Sequence, residues 1–134
     1  MEGDAQALPF PDETFDAVCA NFGILHLARP EVFLREAHRV LKPGGRVAFT
    51  VWIPTSPGMT LVTKSLADHG DANVPLPEGP PFFKYADAEA AAGAMTAAGF
   101  DPATCATDAV PLTFALSAAE DLYDLFAEAR GGAS

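Results

Sequence analysis

The residues best suited to chemistry lie near the start of the chain. Asp4 precedes a rigid loop, Leu8-Pro9-Phe10-Pro11-Asp12, and then a short apolar stretch, Phe15 to Ala20. A carboxylate at the carboxyl end of a strand faces the crevice where open α/β sheets bind ligands, and can accept from an adenine amino group or a ribose hydroxyl. The plainer reading of Asp4 is a solvated turn residue. Asn21-Phe22-Gly23 follows the apolar stretch directly. Glycine there lets a ligand approach the backbone closely, although an ordinary strand-to-helix turn has the same composition. His26 can serve as a general base or substrate contact near its usual pKa of about 6.5, or simply bond to backbone where a helix begins.

Other residues fit chemistry less well. Gly44-Gly45 follows a helical pattern and precedes a strand, the reverse of a phosphate loop, and reads as a helix C-cap. Asp12, Glu13 and Asp16 form no catalytic pair, and Ser65, Ser117 and Ser134 lack the context of an activated nucleophile. Cys19, Cys105 and three scattered histidines have no metal-ligand spacing. Both cysteines lie in apolar, strand-like stretches and read as buried, reduced thiols of a cytoplasmic protein. Neither a catalytic residue nor a metal site is expected.

The elements that must position these residues follow from periodicity. Phe15 to Ala20 fits a buried strand of a parallel sheet. Pro30 opens a helix in which Phe33, Ala37, Val40 and Leu41 share one face. Lys42-Pro43-Gly44-Gly45 should end it, and Arg46 to Trp52 is β-branched and aromatic, a second buried strand. Strand, helix, strand with so long a connection is a βαβ unit with parallel strands. Beyond it, the pattern predicts a helix over about Gly58 to His69 with Leu61, Val62, Leu66 and Ala67 on one side. An irregular loop, Asn73 to Pro81, follows. Asp87 and Gly99 are the natural caps of an Ala-rich helix. Thr104 to Leu116 alternates as an extended segment, and Ser117 to Glu120 is a capping box opening a last helix with Leu122, Leu125 and Phe126 inward.

Composition narrows the function. The chain has 134 residues, 8 Lys+Arg against 18 Asp+Glu and a net charge of −10. Phosphate binding needs clustered Lys and Arg, so neither nucleic acid nor an anionic membrane surface is an expected partner. Apolar residues at 49 % suffice for a core. Length allows one domain, residues 1–134.

Taken together, GDAQALPFPDETFDAVCANFGILHL and EVFLREAHRVLKPGGRVAFTVW strongly resemble the class I S-adenosylmethionine-dependent methyltransferases, nearest to the type 11 group that includes the ubiquinone and menaquinone C-methyltransferases. Asp4, Ala5, Leu8-Pro9-Phe10, Asp12, Phe15-Asp16, Glu36 and Arg39 to Gly45 carry the match. The resemblance implies a Rossmann-like, doubly wound α/β sheet and methyl transfer to a small-molecule acceptor. Asp4 would accept from the adenine amino group of S-adenosylmethionine, and the Ala5 N–H would touch the ring. Asn21, Phe22 and Gly23 would lie along its methionine and ribose, with His26 near the acceptor.

The family's Gly-rich cofactor turn has no counterpart here. The resemblance therefore implies a partial domain without its first three strands, with weak or absent cofactor binding. It also makes Phe15 to Ala20 an unblunted edge, so a homodimer through that strand is expected. The alternatives are a non-enzymatic dimerising module built on the same fold, and an unrelated doubly wound nucleotide binder.

Overall fold

In a computed structural model, residues 2–71, 79–113 and 115–118 are described, together with 120, 121 and 124. Strand β1 is Phe15–Ala20, helix α1 is Pro30–Val40 and strand β2 is Leu41–Phe49. The two strands pair in parallel, with Ala17 opposite Arg46, Val18 opposite Val47, Cys19 opposite Ala48 and Ala20 opposite Phe49. The βαβ reading therefore holds. A 3₁₀ turn, Gly23–His26, leads from β1 towards α1.

The end of α1 differs from the expectation. The helix stops at Val40, and Leu41 is already extended, its N–H still donating to Ala37 O. Leu41 faces Phe15, while the next paired residue of β2 is Arg46 opposite Ala17. Lys42-Pro43-Gly44-Gly45 is thus a bulge inside β2 and not a helix C-cap. Its geometry explains the glycines. Gly44 takes φ +79°, and a Cβ on Gly45 would lie 2.9 Å from Lys42 O and 3.2 Å from Asp16 O. Sequence periodicity cannot see this, because the buried Leu41 turns directly into the sheet. At its other end β2 stops at Phe49, short of Trp52.

One face of the two-stranded sheet is covered. Val18, Ala20, Val47 and Phe49 pack against a core of Ile24, Phe33, Leu34, Ala37, Tyr85 and Ala91. Phe33 and Leu34 are both buried on α1, so its inward stripe is wider than the expected one. Helix α3, Ala88–Ala97, closes the core. Asp87 caps it by accepting from Ala90 N–H at 2.8 Å. Gly99, at φ +106°, ends it, with Phe100 N–H donating to Met95 O and Gly99 N–H to Thr96 O.

The opposite face, with Ala17, Cys19 and Ala48, is exposed. Cys19 is therefore a free, exposed thiol and not a buried one; Cys105 is free and half-buried. Helix α2, Pro57–His69, forms as expected with Ser56 as its cap, but no residue of it is buried. Leu61 is 55 % and Leu66 64 % exposed. The expected extended segment joins no sheet among its described residues, and Val110, Leu112 and Leu116 are exposed. Around Ser117 the carboxylate that accepts from Ser117 and Ala118 N–H belongs to Asp121, one residue after the expected Glu120. Phe114, Leu122, Leu125, Phe126 and most of the Asn73 to Pro81 loop lie outside the described residues.

Candidate functional site

Two loops carry the candidate residues. The first is Asp4 to Asp12, which α1 holds in place. The Arg39 guanidinium donates to Leu8 O, Phe10 O, Asp12 Oδ1 and both oxygens of Glu36, at 2.7–3.0 Å. Glu36 Oε2 also accepts from Leu8 N–H at 2.9 Å. This clamp holds the Glu36 carboxyl below its ordinary pKa, chiefly through the Arg39 hydrogen bonds, and raises that of Arg39. The hallmark pattern of leucine, proline, phenylalanine and aspartate before β1, with glutamate and arginine on α1, is one hydrogen-bonded unit.

The clamp and a second tether place Asp4. Gln6 Oε1 accepts from Arg29 N–H, 3.0 Å away at the start of α1, and Ala5 packs on the Ile24 cluster. Asp4 Oδ1 accepts from Gln6 N–H at 2.8 Å, an Asx turn. Among the described residues its other oxygen takes no partner, so the turn role and an acceptor role are compatible.

The second loop is Asn21-Phe22-Gly23. Phe22 sits in the left-handed region at φ +52°. Its N–H donates to Thr50 Oγ1 at 2.9 Å, and the Thr50 hydroxyl lies 2.7 Å from Asn21 Oδ1. The Phe22 ring stacks on Trp52, centroids 4.2 Å apart and planes 16° from parallel. A Cβ built on Gly23 would meet nothing within 4 Å, so its backbone is open to close approach. His26 is exposed, with Phe82 6.2 Å away edge-on. A shallow cavity of about 370 Å³ nearby is lined by Ile53, Pro54, Thr55, Phe83, Ala86 and Asp87.

The structure thus joins Asn21 and Phe22 to Thr50 and Trp52, ties Asp4 and Ala5 to the start of α1, and sets His26 beside Phe82. Sequence reasoning missed Thr50 and Trp52, since within FTVW both read as strand residues. It also missed the buried hydroxyl of Tyr85, which has no hydrogen-bond partner among the described residues. No cluster of His, Cys, Asp or Glu among the described residues can hold a metal.

The first 49 residues match the methyltransferase domain family. The ubiquinone/menaquinone biosynthesis C-methyltransferase UbiE of Ruegeria sp. is 60 % identical over 47 residues, 35 % of this chain and 19 % of that protein. The demethylmenaquinone methyltransferase of Streptomyces griseus is 58 % identical over 45 residues, 34 % of this chain and 20 % of its own. The chain therefore spans about a fifth of the length of these relatives. The likeness extends further in three dimensions. A solved S-adenosylmethionine-dependent methyltransferase of Thermotoga maritima, described as a possible histamine N-methyltransferase, superposes on 75 % of this chain and 45 % of its own, with TM-score 0.54 and 26 % identity. The fold is accordingly part of a Rossmann-like α/β sheet. No helix among the described residues is long and apolar enough to cross a membrane.

Proposed function

We propose that the chain works in S-adenosylmethionine-dependent methyl transfer to a small-molecule acceptor, with the cofactor in the crevice beyond β1 and β2. The observation that supports this reading is that both matched loops are fixed to one core: Ala5 packs on the cluster of Ile24, the residue that follows Gly23. One offers a free carboxylate oxygen, at Asp4, and the other an open glycine backbone, at Gly23. Those features fit the cofactor's hydrogen-bonding groups. When bound, the cofactor supplies an electrophilic methyl group. The protein's part is to bind and orient: Asp4 accepts from the adenine amino group, the Ala5 N–H faces the ring, and Asn21 to Gly23 border the methionine and ribose. His26 and Phe82 form the acceptor side. Catalysis of this kind is positioning, and it asks for no protein nucleophile.

Two hydrogen-bonding groups at roughly 1.5–3 kcal/mol each give weak binding, with Kd about 0.1 mM or weaker. Calorimetry with S-adenosylhomocysteine checks this. Weak saturable binding that Asp4→Ala abolishes is the expected result; no binding at millimolar ligand would refute the cofactor site.

A second reading, a dimerising module, is favoured by one observation. Among the described residues nothing covers the outer edge of β1 or the face bearing Ala17, Cys19 and Ala48, and the strand's one charge, Asp16, is already paired with Lys42 Nζ at 2.9 Å. Two such edges can pair antiparallel about a twofold axis. Light scattering at micromolar concentration should then report a dimer, and an Ala17→Pro variant, blocking the edge, should be monomeric. A monomeric native chain sinks this reading.

A further inference from the structure

Thr50 stands just past β2, and its backbone N–H donates to Ala20 O at 3.1 Å. That bond pins its Cα opposite the turn that follows β1. From there the side-chain hydroxyl reaches both halves of the turn at once. It accepts from Phe22 N–H at 2.9 Å, and at 2.7 Å from Asn21 Oδ1 it donates its own proton. A hydroxyl has one proton to give and two lone pairs, so both bonds are satisfied together.

The consequences differ for the two residues. Phe22 holds a left-handed conformation that side chains other than glycine adopt at a cost. The Thr50 bond to its N–H and the stack on Trp52 both offset that cost. Asn21 has its carbonyl oxygen engaged by Thr50, which leaves its NH₂ group unengaged among the described residues. An NH₂ group donates only, so the turn selects for a ligand oxygen that accepts.

We propose that Thr50 is a positioning residue of the crevice, fixing Phe22 against Trp52 and setting Asn21 as a donor towards an acceptor oxygen of the ligand. This rests on the cofactor reading for the identity of the ligand, but not for the positioning itself. A serine at 50 retains the hydroxyl, whereas a valine keeps the shape and loses both bonds.

The test compares the full native chain with T50S and T50V. Trp52 is the chain's one tryptophan, so its emission reports on the Phe22 stack. Amide exchange reads the Phe22 N–H, with Leu34 in α1 as the internal control. S-adenosylhomocysteine is the probe, followed through the Asn21 side-chain NH₂ resonances. In T50V, Trp52 emission should shift and Phe22 exchange should speed up at least tenfold while Leu34 stays protected. The probe-induced change at Asn21 should be lost. T50S should keep all three native signals. Native emission and exchange in T50V, or loss of either in T50S, overturns the proposal; the T50S arm decides even if T50V unfolds. Absence of any probe response in the native chain, with the T50V changes intact, supports the positioning and sinks the cofactor reading instead.

Discussion

Tyr85 and Glu36 show how single residues decide the behaviour of this chain. Tyr85 is 4 % exposed and its hydroxyl has no partner among the described residues. A buried orphan hydroxyl costs roughly 1–3 kcal/mol, so Tyr85→Phe should stabilise the fold by about 1 kcal/mol, read as a higher urea midpoint. A lower midpoint would show that the hydroxyl is bonded after all, for example to a buried water. Glu36 is held below its ordinary value of 4.5 by Arg39. The unfolded chain takes up that proton first as the pH falls. The clamp's contribution is therefore complete above about 4.5 and is lost as the pH drops through the lower folded value. Native protein should thus lose stability faster than Glu36→Gln below pH 4.5, and parallel thermal melts across that range would contradict the clamp. The clamp residues were legible in the sequence as a pattern. Their purpose was not, because it lies in bonds between α1 and a loop 28 to 31 residues earlier. Thr50 was illegible for the same reason, being 28 residues from the amide it accepts from.

Elements whose signal is local were read well. β1 follows from its short apolar run, the starts of α1 and α2 from their prolines, and both ends of α3 from Asp87 and Gly99. Gly99→Ala should destabilise doubly, since φ is +106° and the new Cβ would lie 3.1 Å from the His38 ring. About 1–2 kcal/mol is expected from the backbone alone, measured by chemical denaturation. An unchanged midpoint would mean the C-terminus of α3 relaxes freely. Leu34→Ala should cost roughly 3 kcal/mol, as the side chain is fully buried. Elements whose state depends on distant packing were read poorly. The Lys42 to Gly45 bulge looks like a cap because only the pairing of Leu41 with Phe15 distinguishes the two. Helix α2 carries its apolar residues on one side as expected, yet Leu61 and Leu66 face solvent, because amphipathic spacing records a preference and not a partner.

For the molecule as a whole, one covered sheet face and one core support the turn that follows β1 and the loop that α1 clamps ahead of β1. The family match over residues 1–49 takes in both loops, while Thr50, Trp52 and Phe82 join the site from beyond it. Net charge of −10 disfavours phosphate backbones as partners. It also opposes self-association only through a screened term, so it does not decide between the two readings. The most direct test of the cofactor crevice is an NMR titration of the full chain with S-adenosylhomocysteine, read residue by residue. The account expects the amide shifts to concentrate at Asp4, Ala5, Asn21, Phe22, Gly23 and Thr50, growing smoothly to saturation at millimolar ligand. Shifts confined to other surfaces, such as α2 or the 110–116 segment, or none at all, would contradict it.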